Sequence, residues 1–387
     1  MLNVSRKTFH IACTLCLLWL IPTQSHAAPP AQIIPQQFLT GADLSGLPYQ
    51  EEKGVKYYEN GKASDLLAIA AHNHWRIIRL RLWVNPAADP YYAVSDLKHV
   101  TALAKRIKAA HLQFLLDLHY SDTWADPGHQ KKPAAWESLP FPQLVSQVYE
   151  YSRITIATLR QNDAQPDFVQ IGNETKNGLL YGSGLTGAGP QPGGGFWESD
   201  QGGIDRAAQL LDAGLRGVRE GALPKAAPKL MLHIPDGQDT GFVQWYFKTL
   251  SAHAAALHPA VTLNFDLIGL SYYPGDPWDH KIGYEPWKLK HLTETMNYIA
   301  TTLHKPVMVV ETSWPQAGKP RELPGSPEFA LTPEGQVQFY TALLRAVRSV
   351  PNSLGVGVVV WEPDTLDWNS VFDSRGNALL AVHTLGN

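Results

Sequence analysis

The sequence predicts a single (β/α)8 barrel, and three observations carry that reading. Eight short apolar, β-rich runs recur along the chain. Helical periodicity fills the gaps between them. The long Gly- and Pro-rich segments fall after strands, where a parallel barrel opens its mouth.

The strands are expected at 38–44, 75–83, 113–120, 167–173, 229–235, 266–273, 306–312 and 355–362. Two of the helices between them are legible in detail. Over 96–110, Leu97, Val100, Leu103, Ile107 and Ala110 share one face, while Lys98, Lys105, Arg106 and Lys108 fall mainly elsewhere. Ser95 is the expected N-cap. Over 333–349, Thr332 caps, Pro333 takes the first helical position, and Val337, Tyr340, Leu344 and Val347 form the buried stripe. The segments 121–140, 182–195 and 313–331 read as long loops after strands 3, 4 and 7. The rival fold is a doubly wound sheet, which carries a Gly-rich phosphate turn after its first strand. Here that position reads Gly41-Ala42-Asp43-Leu44-Ser45, without the fingerprint.

Residues 1–27 read as a secretory signal peptide. Arg6 and Lys7 make a basic start, Phe9 to Ile21 an apolar stretch, and Ser25-His26-Ala27 a small-residue cleavage site. Residues 28–387 then form one catalytic barrel domain. Cys13 and Cys16, the two cysteines of the chain, leave with the signal, so the mature protein relies on its core and not on disulfides. Losing Arg6 and Lys7, and no acidic residue, takes the net charge from −3 to −5. That balance offers no basic stripe for nucleic acid and no polybasic membrane patch. No later stretch is apolar enough to span a bilayer. The expectation is a secreted or periplasmic monomer. Twelve Trp and 15 Tyr suit a groove that stacks on flat ligands, although many of these rings belong to any core.

Two carboxyl groups stand out. Glu174 closes strand 4 in Ile171-Gly172-Asn173-Glu174, and Glu311 closes strand 7 in Val309-Val310-Glu311-Thr312-Ser313-Trp314. Both sit at C-terminal ends of strands, and so at one mouth. A single Glu after a strand is ordinarily a solvated loop residue. Two at one mouth can raise one another's pKa, and a glycosidic bond is cleaved by such a pair.

The motifs around them resemble glycoside hydrolase family 53, the arabinogalactan endo-β-1,4-galactanases. They are Gly41 to Ser45, Arg79 to Pro86 (RLRLWVNP), His119 to Gln130 (HYSDTWADPGHQ), Gln170 to Glu174, Gly269 to Pro274 (GLSYYP), Glu311 to Pro315 (ETSWP) and Trp361-Glu362-Pro363. The resemblance implies a retaining barrel glycosidase acting on plant cell-wall galactan. It implies that Glu174 is the acid/base and Glu311 the nucleophile, about 5–5.5 Å apart. It assigns Asn173 to the sugar 2-hydroxyl, and Tyr272 or Tyr273 to a hydrogen bond with Glu311. Arg79 and Arg81 alternate onto one face of strand 2 and can hold the nucleophile. Equally, either can form a core ion pair with Asp43 or Asp117. Asp117 and His119 share a face of strand 3 as candidate substrate contacts. Trp83, Trp124, Trp314, Trp361 and Trp368 follow strands and are candidate stacking surfaces. Trp361 is placed at the floor of the subsite nearest the scissile bond.

No cofactor is implied. A metal held by His119, Asp122 and His129 is the weaker alternative for that loop, which lacks tight ligand spacing. The chain departs from the family at Tyr181, where tryptophan is expected, at Pro235 in the exit of strand 5, and in the short segment Pro363 to Trp368. Some relatives hold calcium around a longer version of that last loop. Two other readings keep the barrel: a β-mannanase or β-glucanase sharing the catalytic pair, and a sugar-binding barrel without activity. The strand 3 loop favours galactan over the first. Retention of both glutamates disfavours the second.

Overall fold

The computed structural model describes Met1 and residues 37–183, 192–196, 202–275, 283–319 and 322–386. The segment 1–27 read as a signal peptide lies, apart from Met1, outside the described residues, as does the middle of the 182–195 loop. Among the described residues no helix is long and apolar enough to cross a membrane.

Eight parallel strands close into a barrel. They are β1 (Leu39–Asp43), β2 (Ile77–Leu82), β3 (Gln113–Leu118), β4 (Phe168–Ile171), β5 (Lys229–Ile234), β6 (Leu267–Tyr272), β7 (Val307–Thr312) and β8 (Gly355–Trp361). Each pairs with its sequence neighbours, and β8 closes on β1 through Leu39–Gly357 to Asp43–Trp361. The fold is the one expected, each strand one to three residues shorter than its apolar run. The longer helices between strands are α1 (Leu66–His72), α2 (Leu97–Ala109), α3 (Phe141–Gln161), α4 (Gly203–Gly221), α5 (Thr240–Ala256), α6 (Leu289–Tyr298) and α7 (Pro333–Arg348), with α8 (Leu380–Thr384) after β8.

The helix stripes follow the sequence pattern closely. Val100, Leu103 and Ile107 of α2 are buried, as are Tyr340, Leu344 and Val347 of α7. Thr332 caps α7 by accepting from Gly335 N at 3.1 Å. The cap of α2 is Asp96 and not Ser95: the Asp96 carboxylate accepts from His99 N at 2.8 Å. Ser95 is instead fully buried and accepts from Arg81 Nε at 3.2 Å. The hydroxyl one residue earlier is consumed by the barrel interior.

That interior is layered. Leu39, Ile77, Leu115, Phe168, Met231 and Leu267 form an apolar plug at the bottom. Two residues further along each strand, on the same face by the period-2 alternation of β structure, stand Gly41, Arg79, Asp117, Gln170, His233 and Gly269. A Cβ at Gly269 would lie 2.5 Å from Met231 Sδ, so the absence of a side chain there lets this layer sit directly on the plug. The polarity change along the barrel axis places the charges directly beneath the mouth.

Candidate active site

Above the charged layer lies a cleft of about 1650 Å³, lined by residues from the C-terminal ends of the strands and the loops after them. Ligand pockets for single small molecules run about 300–1,000 Å³, so this space suits several linked sugar units. The backbone turns sharply to enter it. Tyr120, Glu174, Asp236 and Glu362 follow β3, β4, β5 and β8 with positive φ of 51°, 46°, 54° and 39°. Non-glycine residues pay for that conformation, and its clustering at four strand exits marks a rim held in shape by what surrounds it.

Arg79 is the hub beneath the cleft. It is almost wholly buried and donates to five acceptors: Gln170 Oε1 at 2.8 Å, Asp43 Oδ2 at 2.6 Å, Asp117 Oδ2 at 2.8 Å, Asn173 Oδ1 at 2.9 Å and Glu311 Oε1 at 2.6 Å. Its three carboxylate partners keep the guanidinium charged against the cost of burial. Burial opposes ionisation of Asp117, yet Arg79 and then His119 outweigh it and hold that carboxyl at about 2. Both expectations for Arg79 are therefore realised in one side chain, which bonds Glu311 and the core carboxylates together.

Arg81, the other inward arginine, serves a separate set. It pairs with Glu362 and lies over the rings of Trp124, Trp83 and Tyr91, 4.4 Å from the Trp124 centroid. A guanidinium on an indole face is a favourable contact, and here it fixes the plane of a cleft tryptophan. Tyr91 OH donates to both oxygens of Glu362 at 3.0 Å.

The two glutamates share the cleft but are held differently. Glu311 is anchored through both oxygens, by Arg79 Nη2 and by Tyr273 OH at 3.0 Å. Burial raises its pKa; the Arg79 charge and the Tyr273 hydrogen bond pull it back. Among the described residues Glu174 has one side-chain partner, Ser271 Oγ at 2.6 Å. Withdrawal from water raises its pKa well above the ordinary value, and the charge of Glu311 adds to this. The pKa of both carboxyls is raised, that of Glu174 the more, and the Arg79 guanidinium opposes the rise at Glu311. Ser271 and Tyr273 are two residues apart along one edge. One strand exit therefore holds both carboxyls, at attachment points about 6–7 Å apart.

Asn173 precedes Glu174 and shares Arg79 Nη2 with Glu311. Its amide nitrogen donates to Ala125 O at 2.7 Å and its oxygen accepts from Arg79. His119 Nδ1 accepts from Trp83 Nε1 and Ala125 N, both at 3.2 Å, so its hydrogen sits on Nε2, 2.8 Å from Asp117 Oδ2. That arrangement leaves no His119 lone pair for a metal. Asp122 accepts from Asn85 N and Ala134 N, and His129 pairs with Asp126, so the three alternative ligands belong to separate hydrogen-bond sets.

Arg79, Arg81, His119, Trp124, Asn173, Glu174, Tyr273, Glu311 and Trp361 all line the cleft. Four residues expected to touch substrate do not line the cleft. Asp117 is fully buried below Arg79. Tyr272 takes the opposite face of the strand from Ser271 and Tyr273; it packs on Phe339 of α7, and its hydroxyl donates to Trp287 O at 2.6 Å. Trp314 is fully buried, stacked on Phe339 at 4.7 Å with its indole nitrogen on Ala330 O. Trp83 is likewise internal, edge-on to Trp124 at 5.2 Å. Trp368 is exposed at the cleft edge. The family departures are accommodated locally. Tyr181 is buried with its hydroxyl on Pro127 O at 3.0 Å, and the Pro235 exit carries Asp236, whose carboxylate takes Lys176 Nζ at 2.5 Å. Sequence reasoning singled out neither Ser271 nor Glu362 for the site. A serine on a strand has no signature of its own. Its alternation with Tyr273 is the signal that would have found it.

A stability consequence follows from the raised pKa of Glu174. Its folded-state pKa lies above the unfolded value, so its ionisation opposes folding. The burial is harmless below the unfolded pKa, and stability is lost as pH rises through the folded one. Glu174→Gln removes that loss. Its denaturation midpoint should therefore match the parent at low pH and exceed it by a growing margin as pH rises, measured by urea unfolding in a buffer series. A margin that shrinks with pH would contradict a raised pKa at Glu174.

A (β/α)8 barrel that carries two hydrogen-bonded carboxyls, one buried and one half-buried, in one wide cleft is the architecture of a glycoside hydrolase. Comparison with known proteins makes the class specific. The glycosyl hydrolase family 53 model matches residues 39–383. The chain is 37% identical over 327 residues to the probable arabinogalactan endo-β-1,4-galactanase A of Aspergillus terreus, covering 84% of each. It is 34% identical over 336 residues to the arabinogalactan endo-β-1,4-galactanase of Cellvibrio japonicus, covering 84% of this chain and 80% of that one. Among solved structures, a fungal β-1,4-galactanase matches with a TM-score of 0.76 at 32% identity, over 90% of this chain and 98% of the other. The family 53 catalytic domain of Ignisphaera aggregans matches with a TM-score of 0.74 at 26% identity, over 92% and 98%. The protein belongs to glycosyl hydrolase family 53.

Proposed function

We propose that this protein is a retaining endo-β-1,4-galactanase in which Glu174 is the acid/base and Glu311 the nucleophile. The observation that carries the roles is the unequal support of the two carboxyls. Glu311 receives a guanidinium and a phenol, one on each oxygen, while Glu174 receives a single hydroxyl. The relatives named as galactanases, and the family match over most of the chain, support the substrate.

The chemistry then runs in two steps. Glu311 attacks the anomeric carbon as the glycosidic bond breaks, and Glu174 gives its proton to the departing oxygen. Glu311 is now an ester, its negative charge gone, so Glu174 loses the repulsion that held its proton and becomes a base. It takes a proton from water as that water attacks the anomeric carbon and releases Glu311. Arg79 and Tyr273 keep the nucleophile oriented throughout, and the developing carboxylate is returned to two waiting donors. Asn173 binds the 2-hydroxyl at the site of attack. Trp361 and Trp124, 6.3 Å apart, offer aromatic faces to the apolar side of galactose, and Trp368 extends that surface outward. Residues 1–27 direct export, and the exported chain acts as a monomer.

The test is direct. The purified protein is incubated with β-1,4-galactan, β-mannan and β-glucan, and products are sized over time. Internal cleavage of galactan into mixed oligosaccharides, with the newly formed reducing ends first appearing as β-anomers by proton NMR, is the expected result. Preferential cleavage of mannan or glucan would replace the substrate. Initial release of α-anomers would replace the mechanism.

A further inference from the structure

The two strands that carry the glutamates divide the mouth. In the barrel order, β4 and β7 leave β5 and β6 on one side and β8, β1, β2 and β3 on the other. A polymer cleaved between Glu174 and Glu311 passes from one side to the other. Trp124 after β3 and Trp361 on β8, the aromatic faces assigned to the sugar under attack, belong to the larger side, and Trp368 carries that surface outward. Asn173, assigned to the 2-hydroxyl, is tied to the same side through Ala125 O at 2.7 Å. On the acid/base reading of Glu174, the departing sugars leave over β5 and β6. Lys176, Asp236, Asp239 and Thr240 line the cleft there.

That wall runs into α5. Asp239 caps the helix by accepting from Phe242 N at 2.9 Å, and Thr240 opens it. Lys176, paired with Asp236, places its ammonium 5.0 Å from the centroid of the Phe242 ring. Trp245 stands three residues further on, on the same helix face, with the two rings 6.2 Å apart. Phe196 packs edge-on against Trp245 at 5.9 Å and is itself stacked on the buried Tyr246 at 5.2 Å. The indole is thus braced from the protein side, yet 48% of Trp245 is exposed.

A single exposed apolar side chain is ordinary. Trp245 is not isolated, because it continues an aromatic and polar strip that starts inside the cleft. Among the described tryptophans, Trp245 and Trp368 alone are exposed. One stands at the edge of the cleft on the side of β8, the other beyond its wall on the side of β5. The charges on the way to Trp245 also suit an uncharged chain of sugars. Lys176 and Asp236 neutralise one another and still offer a donor and an acceptor to hydroxyl groups.

We propose that Phe242 and Trp245 form a sugar-binding platform outside the cleft, which holds the leaving-group end of the polymer by stacking Trp245 on the apolar face of a galactose unit. This rests on the galactanase reading, which supplies the polymer, and on the acid/base role of Glu174, which gives its direction. The platform acts on long chains only, since a substrate that ends within the cleft does not reach it. Trp245 touches no reacting atom. Its contact is equal in the ground state and the transition state, so it lowers KM and leaves kcat alone.

Affinity electrophoresis reads the platform without turnover. Glu311→Ala, with and without Trp245→Ala, is run through gels containing β-1,4-galactan, β-mannan or β-glucan. Galactan should retard the single variant, and the added substitution should weaken that binding about tenfold, the scale of one aromatic stacking contact. Trp245→Tyr in the same background keeps a ring and should retain most of the binding. Equal retardation with and without Trp245 in every gel overturns the platform. Retardation by mannan or glucan in place of galactan, lost with Trp245, upholds the platform and changes the polymer, so a failure of the substrate reading shows separately. In the active enzyme, Trp245→Ala should raise KM for galactan about tenfold, with kcat and the urea midpoint unchanged. The kcat/KM for an aryl galactobioside should stay as in the parent. An equal loss on that short substrate would mean that Trp245 shapes the cleft itself, which overturns the proposal. So would a parent dimer that Trp245→Ala dissociates in sedimentation, because the face would then belong to a second copy of the chain.

Discussion

Glu311→Ala is expected to lower galactan hydrolysis by more than about 10⁴-fold, the scale seen when a nucleophile that acts as part of a unit is removed. The fold should survive, because the alanine leaves Arg79 with the carboxylates of Asp43 and Asp117. Added azide should restore cleavage of an activated aryl galactoside. The sugar azide formed should have the α configuration, since azide attacks from the side that Glu311 vacates and displaces the leaving group once. Glu174→Ala behaves differently in the same assay. Activated substrates, which need no protonated leaving group, should still form the intermediate on Glu311. Azide then resolves that intermediate in a second displacement, and the product is the β-azide. The two stereochemical outcomes separate the roles in a way that loss of activity alone does not. An α product from Glu174→Ala and a β product from Glu311→Ala would exchange the assignments.

Much of this site was legible from the chain because a barrel fixes where a strand exit points. Once 167–173 and 306–312 read as strands, Glu174 and Glu311 had to share a mouth, and eight separate apolar runs made those strands readable. The errors share one cause. Being close to a strand's end does not say which way a side chain faces. Tyr272 and Tyr273 are adjacent, so one must turn outward, and the parity with Ser271 that decides between them depends on knowing that the extended geometry runs through residue 273. Trp314 and Trp124 both follow strands, yet one packs on Phe339 in the helical layer and the other lies under Arg81 in the cleft. Such differences come from loop paths that local sequence does not determine. Ser95 shows the same limit in a smaller way. It was a sound cap by composition, and a buried guanidinium claimed its hydroxyl.

Arg79→Met is the substitution expected to cost most in stability. It leaves Asp43, Asp117 and Glu311 in the barrel without the cation that compensates them, and removing one partner from a buried ion-pair set costs about 3–5 kcal/mol. The sign with pH follows from Asp117, held in the folded protein at about 2 by Arg79 and His119 against burial. A depressed carboxyl stabilises the fold above its unfolded pKa, and that stabilisation is lost as pH falls through the folded value. The gap between the parent and Arg79→Met should therefore be full at neutral pH and close as pH falls below about 4, the unfolded pKa of an aspartate. Urea midpoints across that range measure it, and a gap independent of pH would mean that the loss is one of packing only. Activity reports a second effect. Glu311 must be ionised to attack, and Arg79 is the largest influence opposing its raised pKa. Without it the acidic limb of the kcat/KM profile should move to higher pH. Arg79→Lys, which keeps a charge but cannot reach five acceptors from one planar group, should recover most of the stability and less of the activity. If it recovers the two equally, Arg79 acts as a charge alone, and its geometry around Glu311 and Asn173 is not what matters.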